Sequence, residues 1–190
     1  MKTSSFSLAL CALATALPVQ AVEFSQFQPA KSTLSFVSKQ MNVPVEGKFN
    51  SFRSKLAFDP AKPAAAKAEF EIDLASIDAG SQDANDEVAG KAWFNTKAFP
   101  VAKFVSTSVK PLGNNRFEVA GKMTIKGKTL DLTAPVTLRL EGNSAAFEGS
   151  LVLKRADDAI GDGVWADFGT VANEIQIKFR LVASASPAAK

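Results

Sequence analysis

Lys67-Ala68-Glu69-Phe70-Glu71-Ile72-Asp73-Leu74 alternates throughout: Ala68, Phe70, Ile72 and Leu74 are apolar, and the four residues between them are charged. Successive side chains of an extended chain point to opposite faces, so this stretch is a strand with one buried face and one wet face. An apolar face of that kind needs a partner layer. The rest of the chain supplies it.

Upstream, residues 33–41 read as a strand with Leu34 and Phe36 on one face, and a long apolar–polar pattern follows over residues 45–58. Val45, Gly47 and Phe49 share one parity, whereas Phe52, Leu56 and Phe58 share the other. The buried face therefore flips near Asn50 and Ser51 unless the chain bulges or bends there. Pro60 and Pro63 punctuate the next loop.

Downstream, residues 103–109 are ambiguous, because Phe104 and Val105 have opposite parities. Phe117, Val119, Met123 and Ile125 share a face interrupted by Gly121, and Lys126-Gly127-Lys128 marks a turn. Leu130, Leu132, Ala134, Val136, Leu138 and Leu140 mark the next strand, in which Pro135 predicts an edge, bulge or break. Phe147, Leu151 and Leu153, then Ile175, Ile177, Phe179 and Leu181, complete the series. Residues 81–99 differ. Ser81 or Asp83 is a candidate cap for a short helix through Val88, and Asn95 for a further turn before Pro100.

Seven or eight antiparallel strands with one apolar face each predict a closed barrel, which also removes exposed edges; a sandwich is the main competitor. An outer-membrane barrel shows the same alternation. The helical crossover and the lysines on the polar faces favour a barrel that stays in water.

At the N-terminus, Lys2 precedes an apolar run ending in Val19-Gln20-Ala21, with Pro18 before the small-residue site. That is the layout of a secretory signal peptide, with cleavage expected after Ala21 and an uncleaved anchor as the alternative. The expected organisation is a signal over 1–21, one barrel domain over 22–184 and a flexible tail over 185–190. The 169 remaining residues suffice for one substantial core. They carry 21 Lys and Arg against 19 Asp and Glu, a balance with no strong field for nucleic acid. Cys11, the one cysteine, falls inside the signal, so the processed chain has neither thiol nor disulfide. Histidine is absent throughout, which removes His triads, His bases and His metal ligands together.

The landmarks Ser32-Thr33-Leu34-Ser35-Phe36, the run from Val45 through Phe52, Ile72-Asp73-Leu74, Trp93-Phe94-Asn95-Thr96-Lys97-Ala98-Phe99-Pro100 and Gly121-Lys122-Met123-Thr124-Ile125-Lys126-Gly127 occur in one order. In these the sequence resembles the YceI-like family of periplasmic, lipocalin-like proteins, over nearly the whole processed chain. Two departures stand out. Gln40 occupies a position where many relatives carry histidine, and Asp158-Ala159 stands where relatives commonly have an aromatic and glycine.

The resemblance implies an all-β, eight-stranded antiparallel lipocalin-like barrel with a short helical crossover, enclosing a long apolar chain: a polyisoprenoid, an isoprenoid quinone or a fatty-acid derivative. It implies a periplasmic binding, transport or storage role, no cofactor and no catalytic residues, and it is compatible with a homodimer. The alternative is a stress-associated or protein-interaction module whose barrel is filled by its own side chains. Candidate ligand-lining residues are Phe36, Phe49, Phe70, Phe104, Phe117 and Met123, whose flexible thioether suits a mobile chain. Trp93 and Trp165 are candidates for the cavity entrance, with ordinary packing as the alternative. Asp157, Asp158, Asp162 and Asp167 lie close in sequence, but their spacing misses the EF-hand pattern and Ile160 interrupts it. Arg155 and Asp157 are instead expected to pair and hold their loop.

Overall fold

A computed structural model of the chain describes residues 22–186. The expected signal over 1–21, and residues 187–190 of the expected tail, lie outside them. The elements in chain order are β1 (Phe24–Phe27), β2 (Thr33–Gln40), β3 (Val43–Phe49), β4 (Phe52–Ala57), β5 (Lys67–Asp73), β6 (Ile77–Asp78), α1 (Gln82–Ala89), β7 (Val101–Gly113), β8 (Arg116–Ile125), β9 (Lys128–Glu141), β10 (Ser144–Lys154) and β11 (Glu174–Ala185).

The sheet runs β4-β5-β7-β8-β9-β10-β11-β2-β3-β6, antiparallel at each pairing. Its two ends are joined covalently, since β4 continues β3 and β6 continues β5. The sheet thus returns on itself. The eleven described strands reduce to the eight expected staves, because β3 with β4 and β5 with β6 each form one interrupted stave, and β1 is an addition. The sequence reading opened the sheet at Thr33 and missed β1, which pairs with the end of β11 and bridges Phe24 to Phe58. Beyond β11, the Ser186 amide donates to the Glu23 carbonyl at 2.8 Å.

The parity flip between β3 and β4 is a bend. Asn50 N–H donates to the Ser76 carbonyl at 3.1 Å and Ser51 N–H to the Ser76 hydroxyl at 3.0 Å, so the kinked backbone keeps its hydrogen bonds. Across it Phe49 and Phe52 both stay on the inner wall. The ambiguity at Phe104 and Val105 resolves similarly. Phe104 faces inward and Val105 is exposed, and a register shift between Ser106 and Ser108 lets Val109 turn inward on the other parity.

The wet face of β5 carries ions. Arg53 holds Glu71 at 2.5 Å, and Lys103 reaches Glu69 at 2.7 Å and Glu71 at 3.5 Å. Phe70 lies opposite, pairing in register with Ser54 and Phe104. At Pro135, the β9–β10 ladder stops with Val136 against Gly149, because the proline ring nitrogen has no proton for the next rung. Helix α1 begins as expected at Ser81, whose hydroxyl accepts from the Ala84 amide. Around Asn95 the chain makes turns rather than a second helix. Among the described residues no helix is long and apolar enough to cross a membrane.

Two buried clusters occupy the interior. One gathers Phe24, Phe58, Phe117 and Phe147 with Val109, Val136, Leu138 and Leu181. The other gathers Ile72, Leu74, Trp93, Ala102, Ile125, Ile160 and Val171.

Candidate functional site

The barrel encloses a cavity of about 580 Å³ whose wall draws on both clusters. Inward-facing residues of eight staves would ordinarily fill so narrow a lumen. Here three glycines keep it open. Gly47, Gly121 and Gly149 lie directly beneath the rings of Phe36, Phe104 and Phe179, so closely that a Cβ would strike each ring. Those rings therefore lie along the neighbouring strand's backbone instead of reaching across the barrel.

All six expected lining residues, Phe36, Phe49, Phe70, Phe104, Phe117 and Met123, border this cavity. Phe36 and Phe49 tilt together at 5.8 Å between ring centres, and Phe70 and Phe104 at 6.4 Å. Phe117 sits in the phenylalanine cluster, edge-on to Phe58 at 5.6 Å. Trp93 and Trp165 also border the cavity, with rings 5.6 Å apart. Trp93 is buried, whereas Trp165 is half-buried and donates its indole N–H to Glu87 of α1 at 2.6 Å. Gln40 borders the cavity from the end of β2.

The loop after β10 closes one end around Arg155. This side chain is 3% exposed and its N–H groups donate to five carbonyls, those of Ala172, Ile160, Gly161, Trp165 and Val171, at 2.6–3.2 Å. The guanidinium also lies 5.7 Å from the Trp93 ring centre and 5.1 Å from that of Phe168. Burial pushes its pKa down, opposed by the Asp162 and Asp167 carboxylates. The expected Arg155–Asp157 pair does not form. Asp157 is exposed, and carbonyls of the loop satisfy the arginine in its place. The acidic residues disperse: Asp162 pairs with Lys126 at 3.5 Å, and Asp167 accepts from the Gly169 amide and the Thr170 hydroxyl.

Asp158 was not among the candidate residues, yet it borders the cavity at 5% exposure. Its Oδ1 is buried without a hydrogen-bond partner, as are Trp93 Nε1 and Ser54 Oγ. Burial first, and the neighbouring Asp157 second, raise the Asp158 carboxyl to about 6, against a smaller opposing effect of Lys128. The sequence marked it as a departure, standing where relatives commonly have an aromatic, and as one of four nearby aspartates whose spacing misses the EF-hand pattern. The site is thus an apolar chamber that opens beside α1, where exposed Asp83 and Glu87 border it, with polar atoms concentrated toward the loop-capped end. It offers non-polar contact along its length.

A family model described as the YceI-like domain matches residues 26–183. Among curated relatives, a UPF0312 protein of Pseudomonas fluorescens is 32% identical over 144 residues, 70% of this chain and 71% of that protein. Among solved structures, Burkholderia cenocepacia BcnA is 49% identical with a TM-score of 0.82, covering 84% of this chain and 100% of the other. A polyisoprenoid binding domain from Saccharophagus degradans, implicated in plant cell wall breakdown, shares the fold at 19% identity and a TM-score of 0.66, covering 88% and 99%.

Proposed function

The chain belongs to the YceI-like domain family, and from that premise we propose that it binds a polyisoprenoid, an isoprenoid quinone or another long-chain lipid non-covalently inside its barrel. The observation that carries this reading is the apolar cavity of about 580 Å³. Each methylene transferred into such a wall contributes roughly 0.8 kcal/mol before ordering costs, so a tail of about ten carbons binds without a charged anchor. The Saccharophagus degradans domain of the same fold, named for polyisoprenoid binding, supports the ligand class.

The protein is then a carrier or store rather than an enzyme. With the signal expected over 1–21 removed, it works in the periplasm as one barrel domain over 22–184. Phe36, Phe49, Phe70, Phe104, Phe117 and Met123 grip the chain, and Trp93 and Trp165 stand at the loop-capped end, where the ligand enters between the loop and α1. The rival reading, an interaction module with a self-filled barrel, has the open lumen against it.

Native mass spectrometry after mild purification, followed by lipid extraction, tests the proposal. A bound long-chain lipid is expected; a homogeneous ligand-free protein that also rejects added isoprenoids and fatty amides overturns it. Phe70→Leu should keep the fold while altering affinity and the profile of bound lipids. An unchanged affinity and profile would remove Phe70 from the grip. Light scattering on a sizing column tests the homodimer, which a monomer across useful concentrations rejects.

A further inference from the structure

We propose that the loop-capped end of the cavity is a headgroup site, in which Asp158 and Trp93 receive the neutral, hydrogen-bond-donating head of a long-chain ligand, a hydroxyl being its simplest form. The inference rests on the lipid-binding reading and specifies which end of the ligand enters where.

Two buried atoms carry it. Asp158 Oδ1 and Trp93 Nε1 both belong to residues more than nine-tenths buried on the cavity wall, and neither has a hydrogen-bond partner among the described residues. A buried polar atom left in that condition costs free energy, more for a charged group than for a neutral one. A carboxylate oxygen needs a donor and an indole N–H needs an acceptor. A hydroxyl answers either need, giving a proton to a carboxylate or lone pairs to an indole.

The surrounding charges decide what is refused. Arg155 has committed its donors to five backbone carbonyls, so it has none left for an anion. Lys126 donates to the Ala159 carbonyl and pairs with Asp162, and Lys128 donates to the Asp157 carbonyl. Asp157 adds a like charge beside Asp158. A phosphate or carboxylate head therefore meets the Asp157 and Asp158 carboxylates, while the Arg155 guanidinium has no donor to spare.

The opposite end explains the orientation. Phe24, Phe58, Phe117 and Phe147 close it, and the one unpartnered buried atom on that side is the neutral hydroxyl of Ser54, between Phe52 and Leu56 of β4, against a carboxylate and an indole at the loop. The tail lies toward the phenylalanines and the head toward the loop.

The test titrates the full chain, stripped of co-purified lipid, with geranylgeraniol, with its phosphate monoester and with the hydrocarbon of the same skeleton. The alcohol should bind roughly tenfold or more tighter than the hydrocarbon, and tighter than the phosphate. Asp158→Leu should collapse the alcohol-to-hydrocarbon ratio toward unity. Trp93→Phe, which keeps an aromatic ring and loses the donor, should lower it severalfold and stands in if the leucine variant does not fold. Equal affinity for alcohol and hydrocarbon, a tighter phosphate, or a ratio untouched by both substitutions overturns the headgroup site alone. Failure of all three ligands to bind overturns the cavity reading and this site with it.

Discussion

The two ends of the barrel are built by opposite means. At one end Phe58 lies edge-on to Phe117 and Phe147, at 5.6 and 5.1 Å between ring centres, and Phe24 from β1 packs against the same cluster. Nothing polar is needed there. At the other end a loop is drawn over the lumen by one guanidinium bonded to five of its carbonyls. The phenylalanine plug gains from each ring almost independently, through area removed from water. The arginine hub concentrates its effect in one side chain, because the carbonyls it satisfies would otherwise be buried alone. Hence the first should weaken by degrees and the second should fail at a single substitution.

The most severe test is Arg155→Met, which keeps bulk and removes all five donors. A loss of about 4 kcal/mol or more is expected in urea unfolding, less than five separate penalties because the freed loop can open to water. Arg155→Lys should recover little, since an ammonium cannot reproduce the planar fork. Recovery by lysine would show that charge, not geometry, closes this end. At the plug, Phe58→Ala should cost about 3–4 kcal/mol by leaving a void among its neighbours. Limited proteolysis should then leave the loop of residues 155–172 as resistant as in the parent. Cleavage there would show that the two ends are coupled.

A smaller effect separates the ends by pH. The Asp158 carboxyl is raised from 3.8 to about 6, so its contribution to stability is fully present below about pH 4 and is lost as pH rises through 6. Asp158→Asn should consequently be more stable than the parent by on the order of 2–3 kcal/mol at pH 8 and show no gain near pH 3.5. Parallel stability curves for the two proteins would show that the carboxylate is not desolvated. The smallest effect concerns Ala159, held at φ 53° in the left-handed region. Ala159→Gly should stabilise by about 0.5 kcal/mol, relief of the left-handed strain being partly offset by the greater freedom of glycine when unfolded. A loss on that substitution would mean that the methyl group packs productively.

Much of this contrast was legible in the sequence. Phe70 and Ile72 face inward because Glu69 and Glu71 on the alternate positions find Lys103 and Arg53 outside. The flip of parity at Asn50 and Ser51 announced a bend, and Pro135 announced the end of a ladder. Ser81 marked the start of α1. Strand β1 was not legible, for its four residues lack a clean alternation and gain their order from β11 and Phe58. Nor was the hub. Asp157 was the obvious partner for Arg155 by charge and proximity, but the carbonyls that won belong to residues up to 17 positions away. Asp158 stayed hidden for the same reason. The sequence marks it as a departure from its relatives, but only the fold places it against the cavity.

By itself the sequence determined the strands and their buried faces, because a period of two in hydrophobicity dictates which side chains must leave water, and that requirement is local and additive along each strand; a sandwich meets it as well as a barrel, and the closure is decided between strands. It also determined the family, through the order of its landmarks. Tertiary structure alone decided that the lumen stays open, since Phe36, Phe104 and Phe179 lie over glycines of neighbouring strands that are distant in the chain or joined only across a loop. It alone decided where unpartnered polar atoms remain, because satisfying a hydrogen bond depends on geometry between segments that no periodicity specifies.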